Sequence, residues 1–191
     1  MHRPDPRSVN RHPSAAAVAG FSLIEWMMVL AIVAILTAVA TPGLQSVVES
    51  FRVRHAVEAL RSTIYLARSE AIRRGGELKF RRGAATHNSC PPQATPGQWE
   101  CGWMVFVDAN DNNRFDADEA LIQSSPPVDG VSVYFTSNHA VMPIDRWGQF
   151  NGSGSIGFIV RPLRTDAAAS TVVLCMSSGG RLATRSGVKT C

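Results

Sequence analysis

The sequence contains few of the residue patterns on which enzyme active sites and metal centres depend. The three histidines beyond residue 50 do not show the spacing of metal ligands: His55, His87 and His139. No glycine-rich loop follows a strand and opens a helix, so the phosphate-binding loop of a nucleotide site is missing. The cysteines include no Cys-x-x-Cys pair, which argues against a redox or zinc role. These absences predict a non-catalytic protein.

Apolar residues are also missing where a cleaved secretory signal would need them. The first 20 residues have three arginines and one aspartate but no apolar core. The long apolar run comes afterwards, over Phe21–Gly43, and Glu25 is its only ionisable residue. As a helix, Phe21–Thr41 would be about 30 Å long, which is enough to cross a bilayer. Because a carboxylate in such a span costs about 3 kcal/mol, we expect Glu25 to have a partner.

The residues at the start of the apolar run form one motif: Gly20, Phe21, Ser22, Leu23, Ile24 and Glu25. This motif resembles the class III signal of type IV pilins and type II secretion pseudopilins, and Pro42 falls where pilins commonly carry a helix-kinking proline. Trp26 departs from the more usual leucine. The resemblance implies that a prepilin peptidase cuts between Gly20 and Phe21 and that the new N-terminus is methylated. It also implies that Glu25 pairs with this amine in a neighbouring subunit.

The chain is expected to comprise four segments: a leader over 1–20, a transmembrane helix over 21–43, an amphipathic continuation over 44–76 and a β-rich head over 77–191. Basic residues precede the span, and none follows it until Arg52. This charge asymmetry predicts a single-pass inner-membrane protein with its N-terminus in the cytoplasm and its head in the periplasm.

The apolar pattern beyond Pro42 is first helical and then strand-like. The helical stripe has spacings of three and four and consists of Val53, Val57, Leu60, Ile64, Ala67 and Ala71. Gly75 and Gly76 should end this helix. The period then becomes two, and the candidate strands are Glu77–Arg82, Trp103–Val107, Ala120–Gln123, Val131–Thr136, Ser155–Val160, Thr171–Met176 and Arg181–Arg185. The prediction is an α+β, pilin-like lollipop, in which a long N-terminal helix packs on a C-terminal antiparallel β-sheet domain.

Three stretches of the mature chain carry a narrower resemblance: Leu66–Arg74 (LARSEAIRR), Gly102–Asp108 (GWMVFVD) and Gly179–Arg181 (GGR). They resemble the GspH/FimT group of minor pilins. The resemblance implies a non-catalytic subunit that is built into, or primes, a type IV pilus or a type II secretion pseudopilus. Its expected partners are other pilins in a helical fibre, the prepilin peptidase and the inner membrane.

All four cysteines lie beyond the span, on the side of the membrane where disulfides persist: Cys90, Cys101, Cys175 and Cys191. Four cysteines allow three connectivities. We favour Cys90 with Cys101 and Cys175 with Cys191, because each pair brackets one local loop.

The stretch Asp108–Glu119 has the spacing of a calcium loop. Its oxygen-bearing side chains at positions one, three, five, nine and twelve are Asp108, Asn110, Asn112, Asp116 and Glu119. Asn113 stands where glycine normally makes the sharp turn. Because the loop is expected to join strands rather than two helices, Asx turns are an alternative explanation. Calcium is the only cofactor that the sequence suggests.

The C-terminal segment is the basic end of a polarised head. Residues 83–160 hold two basic and eight acidic residues, whereas 161–191 hold five basic residues and one acid. The basic residues are Arg161, Arg164, Arg181, Arg185 and Lys189. Some FimT-type pilins capture DNA with a Gly-Arg-x-Arg tail motif; here the second arginine comes two positions late, although 181 and 185 would still share one face of a strand.

Three functions therefore stay open after the sequence is read. The first is a structural minor pilin or pseudopilin. The second is a receptor for double-stranded DNA in natural transformation at a pilus tip, carried by the basic tail through phosphate contacts. The third is a tip pseudopilin that handles secreted protein cargo. Solvated charges that protect an edge strand from aggregation would explain the tail without any ligand.

Overall fold

The computed structural model of the chain describes residues 22–83, 95–150, 156–164, 170–177, 179–188 and 190–191, with only the backbone described for 40–43. The chain divides into two compact units, Met1–Pro42 and Gly43–Cys191. Its elements, in chain order, are α1 (Leu23–Arg74), β1 (Leu78–Arg82), β2 (Trp103–Val107), β3 (Leu121–Ser125), β4 (Val131–Phe135), β5 (Val141–Ile144), β6 (Ile156–Pro162), β7 (Val172–Met176) and β8 (Leu182–Ser186).

The first unit contains the start of α1, where Ser22 acts as the N-cap. The Ser22 hydroxyl accepts a hydrogen bond from the Glu25 amide at 3.3 Å, which satisfies one of the free N–H groups of the first turn. Every residue from Leu23 to Val39 is exposed, including all the large apolar ones. Among the described residues no single helix meets both the length and the hydropathy expected of a membrane span. The segments Leu23–Val39 and Leu44–Arg74 meet them only together, as a broken pair and by length and composition alone.

In the second unit, α1 buries one stripe against the sheets and ends at two glycines. The predicted stripe from Val53 to Ala71 is confirmed, since each of its members is at most 3% exposed. Gly75 and Gly76 both have positive φ, and the Gly76 amide donates to the Ala71 carbonyl at 2.9 Å. This bond from the second residue beyond the helix back to its last turn is the Schellman stop, which favours glycine.

The strands of the described residues form two four-stranded antiparallel sheets, as expected of the predicted antiparallel β domain. The first has the order β3-β2-β1-β5, and the second has the order β4-β6-β7-β8. Seven of the eight strands lie within two residues of the predicted bounds. The eighth, β5, is missing from the prediction because Pro143 interrupts its apolar run. Proline lacks the N–H of a ladder bond, but β5 is an edge strand, where one side of the backbone needs no partner.

The helix stripe and the inner faces of both sheets share one hydrophobic core. Its aromatic centre is made of Phe80, Trp99, Phe135 and Phe158, with ring centroids of neighbouring pairs 4.9–6.2 Å apart. The Trp99 indole donates to the His139 carbonyl at 3.0 Å, and the Trp103 indole donates to the Thr63 hydroxyl at 3.1 Å. Both buried N–H groups are therefore paired, as burial of tryptophan requires.

Candidate functional site

Glu25 is the first candidate, and it lies on an exposed apolar segment without a side-chain partner. Its backbone amide is used in the helix cap, but its carboxylate makes no hydrogen bond or ion pair with any described residue. The neighbouring apolar side chains are also exposed, with Leu23 at 79% and Ile24 at 69%. If this segment becomes buried in apolar surroundings, the carboxylate needs a partner from elsewhere. The two processing residues, Gly20 and Phe21, lie outside the described residues.

The basic tail is the second candidate, and its strand β8 is an edge of the second sheet. Arg185 lies opposite Val173, which lies opposite Ile159, so all three are on the sheet face that points away from the core. Arg161 alternates with the buried residues Val160 and Pro162 and is on the same outward face.

Arg181 continues this outward face beyond the end of β8. Its carbonyl accepts a bond from the Ser177 amide at 3.0 Å, one residue beyond the Met176–Leu182 pair, which places it on the side of Arg185. Arg161, Arg164, Arg181 and Arg185 are all exposed, while Lys189 lies outside the described residues. The structure thus brings three of the predicted cations to one face.

A disulfide folds the C-terminus back onto this face. Cys175 and Cys191, the pair favoured from the sequence, are joined, with their Cα atoms 5.6 Å apart. The Cys191 sulfur lies over Gly157, where an added Cβ would approach it to 2.5 Å, so this strand position requires glycine. The Arg185 guanidinium also reaches the Cys191 carbonyl at 3.5 Å. Cys101 is disulfide-bonded as well; its favoured partner, Cys90, lies outside the described residues.

Arg68 holds two turns of the head together. Its Nε donates to the Gly148 carbonyl at 3.0 Å, and its Nη1 donates to the Gly180 carbonyl at 2.5 Å. Both glycines have positive φ, and a Cβ on Gly180 would lie 2.5–2.7 Å from the guanidinium. A side chain at Gly180 would displace the Arg68 guanidinium, and the positive φ of this residue also favours glycine.

Hydrogen bonds within the loop hold the predicted calcium-binding stretch over Asp108–Glu119. The two Asp108 oxygens accept bonds from the amides of Asn112 and Asn113, at 3.1 and 3.0 Å. The amides of Ala109 and Asp116 donate to Glu119, each at 3.0 Å.

The remaining candidate ligands of this loop, Asn110 and Asn112, donate through their side-chain amides to Asp116, at 3.0 and 2.7 Å. These two bonds lower the pKa of Asp116. Across the part of the chain that the structure describes, no three His, Cys, Asp or Glu side chains converge to hold a metal ion. These hydrogen bonds fit the Asx-turn explanation of the loop.

A lysine from β1 supplies the positive charge beside this loop. The Lys79 ammonium lies 2.5 Å from Asp111 Oδ1 and 3.4 Å from Asp108 Oδ2, and its side chain is only 8% exposed. Burial alone would lower the pKa of Lys79, but the hydrogen bonds and charges of Asp111 and Asp108 outweigh it and raise the pKa. The same ammonium lowers the pKa of Asp111. The loop is thus fastened to the sheet by a charge within the same chain.

Comparison with known proteins agrees with both the processing motif and the head. The family model described as Type II transport protein GspH matches residues 56–187, and the prokaryotic N-terminal methylation motif matches residues 16–41. The pilin-like protein PilA1 of Thermus thermophilus is 28% identical over 164 residues, which cover 84% of this chain and 87% of PilA1.

The fold is also similar to that of the type IV minor pilin FimU of Pseudomonas aeruginosa, which has been solved in two crystal forms. The TM-scores are 0.54 and 0.53 at 16% and 17% identity. The matches cover 73% and 72% of this chain, and 92% and 96% of the FimU chains. The fold and the methylation motif define a minor pilin or pseudopilin of a type IV pilus or type II secretion system. Because the GspH model matches residues 56–187, which is well over half of this chain, the chain belongs to the GspH family.

Sequence reasoning missed two features of the head that the structure shows. It gave no role to Arg68, which lies 80 and 112 residues from the carbonyls that it binds. It also gave no role to Trp147, which is 73% exposed on the turn beside Gly148. The only sequence signal for the role of Arg68 was that it lies in the LARSEAIRR stretch and that Gly180 lies in the GGR tail. No local periodicity predicts that these two residues are in contact.

Proposed function

We propose that this minor pilin or pseudopilin is a non-catalytic subunit that assembles through its processed N-terminus. A prepilin peptidase cuts between Gly20 and Phe21 and methylates Phe21, while the apolar segment holds the subunit in the inner membrane with its head in the periplasm. The observation that supports this proposal most directly is Glu25, which lies within the matched methylation motif and is exposed without a partner among the described residues.

In the assembled fibre, Glu25 pairs with the amine of Phe21 from a neighbouring subunit. Each of these charges alone would be costly in an apolar fibre core, and pairing them compensates both. The pair also fixes register, since a shift along the fibre would separate the two charges. The exposed apolar side chains around Glu25 then pack against those of the neighbours.

The test is incorporation of a Glu25→Ala variant into fibres sheared from cells. We expect incorporation to fall about tenfold or more, because the neighbour's amine is left unpaired, while the amount in the inner membrane stays unchanged. The matched control is Trp26→Leu, which alters the adjacent side chain and keeps the carboxylate. Wild-type incorporation of Glu25→Ala would refute the pairing, and loss of both variants would show that the whole segment is sensitive.

A second function, binding of duplex DNA at a pilus tip, is supported by the shared outward face of Arg161, Arg181 and Arg185. Exposed cations on one face gain affinity for phosphates by releasing counterions. The Arg181→Ala/Arg185→Ala double variant should bind duplex DNA more weakly and with a salt slope shallower by about 2. Anisotropy with the full-length mature protein in detergent measures both quantities.

The control for this experiment is Arg114→Ala, which removes an exposed cation from the loop of the other sheet. An unchanged duplex affinity in the double variant would refute DNA binding by this face. Handling of protein cargo by a tip pseudopilin is the alternative, and it predicts no salt-sensitive DNA affinity in the wild-type protein.

A further inference from the structure

Trp147 is presented to solvent by a turn that its own chain holds rigid. The Asp145 carboxylate accepts bonds from the amides of Trp147 and Gln149, at 2.9 and 2.8 Å. The Asp145 amide donates to the Gln149 carbonyl at 2.9 Å, which closes the turn between β5 and β6. The indole is nevertheless 73% exposed, whereas Trp99 and Trp103 are at most 1% exposed. A fixed, exposed indole offers a large flat surface at little entropic cost to a ligand.

The guanidinium of Arg68 brings this turn next to the basic tail. It binds the carbonyl of Gly148, the residue after Trp147, and the carbonyl of Gly180, the residue before Arg181. Two bonds of 3.0 and 2.5 Å to one planar group place the two carbonyl oxygens within about 8 Å of each other. Trp147 and Arg181 are thus neighbours on adjoining turns, although 34 positions separate them in the sequence.

Two exposed cations lie on the same turn as Trp147 and on the adjoining one. Arg146 and Arg181 are both exposed, and neither forms an ion pair with a described residue. The nearest acid in the turn, Asp145, accepts the two amide bonds through one oxygen and forms no ion pair with a described residue. On the helix, Glu70 is occupied by Arg73 and Arg74, at 2.5 and 2.8 Å. An aromatic surface beside unpaired cations suits a polyanion with planar groups better than it suits an apolar protein surface.

We propose that Trp147, Arg146 and Arg181 form a stacking platform for the unpaired bases of single-stranded DNA. A base stacks on the Trp147 indole while Arg146 and Arg181 contact the flanking phosphates. The DNA strand then continues along the outward face of β8 towards Arg185, which lies about 13 Å from Arg181 at 3.3 Å per residue. The inference deepens the proposed DNA-binding function, on which its phosphate contacts rest, and adds a preference for exposed bases.

The test compares a 20-nucleotide oligothymidine with a duplex of equal length, using fluorescence anisotropy and the full-length mature protein in detergent. Trp147→Ala should weaken oligothymidine binding about tenfold and change duplex binding by less than about twofold. Trp147→Phe should retain most of the single-strand affinity, because a phenyl ring still stacks. Tyr65→Ala, which removes an exposed aromatic from the helix, is the matched control and should leave both affinities unchanged.

Each remaining outcome decides the proposal. Equal oligothymidine affinity of Trp147→Ala and wild type overturns the platform, and if duplex binding still depends on Arg181 and Arg185 the proposed function stands without it. Absence of oligothymidine binding in the wild type overturns it as well. A loss of fibre incorporation in Trp147→Ala with unchanged oligothymidine affinity overturns it by assigning the indole to a contact between subunits.

Discussion

The same helix has two regions that differ in the exposure of their apolar side chains. From Leu23 to Val39 every large apolar side chain is exposed, whereas from Val53 to Ala71 the apolar stripe is almost wholly buried in the head. An all-round apolar surface has no solvent-facing side and requires an apolar environment, but a stripe requires only one packed face. The apolar stripe of the head is therefore packed within its own chain, whereas the apolar side chains of the N-terminal segment stay exposed.

The two regions also differ in whether a charged side chain has a partner within its own chain. Lys79 in the head is buried and has two carboxylates of its own chain within 3.4 Å. Glu25 lies in the apolar segment and has no side-chain partner among the described residues. A buried charge is tolerated only with a partner, so the pairing of Lys79 contributes to folding, whereas the role proposed for Glu25 lies in assembly.

The largest expected difference in stability is between alanine substitutions of two leucines, one in each region. Leu60→Ala should lower the free energy of unfolding of the head by about 3 kcal/mol, because Leu60 is fully buried and its loss leaves a cavity. Leu30→Ala removes the same atoms from a side chain that is 59% exposed, and it should leave the stability of the head unchanged. Thermal unfolding of the full-length protein in detergent, followed by near-ultraviolet circular dichroism, measures both. A comparable loss in Leu30→Ala would show that the two regions fold as one.

A smaller difference in stability is expected between substitutions of the two charged residues, Lys79 and Glu25. Lys79→Met keeps much of the aliphatic stem but leaves Asp108, which is 3% exposed, without its cation, and it should cost about 2 kcal/mol. Glu25→Gln should leave head stability unchanged and impair only fibre incorporation. Denaturant unfolding measures the first variant and shearing of fibres the second. If Lys79→Met were as stable as wild type, the loop over Asp108–Glu119 would be held by its backbone bonds alone.

The regular elements of the head could be predicted because their signals are local. The helix stripe and seven strands each follow from a period within a few residues, and Gly75 and Gly76 mark the end of the helix by the conformation that they allow. The strand β5 could not be predicted, since Pro143 argues against a strand unless its place at a sheet edge is already known.

The sites were less predictable because they depend on contacts between distant residues. The ligand spacing over Asp108–Glu119 matched a calcium loop, but the sequence could not show that Lys79, 29 residues before its first acid, supplies the positive charge. Likewise, the shared face of Arg181 and Arg185 follows from strand alternation, whereas the approach of Trp147 depends on Arg68. The alternation of side chains along a strand is fixed by the backbone. The approach of two distant turns is fixed only when the core packs.

The smallest expected effect concerns charges at the end of the helix, and it extends the comparison to pH. Hydrogen bonds from Arg73 and Arg74, together with their positive charges, lower the pKa of Glu70 from 4.5 to about 2. Because the pKa is depressed in the folded state, the stabilisation is fully present above about pH 4.5 and is lost as the pH falls towards 2. Wild type should therefore be more stable than Glu70→Gln at pH 7, and the difference in Tm should shrink to zero near pH 2. High salt should reduce it at every pH, since the pairs are partly exposed. Glu25→Gln, measured beside it, should show no such difference in head stability, because the Glu25 carboxylate has no partner among the described residues of the head.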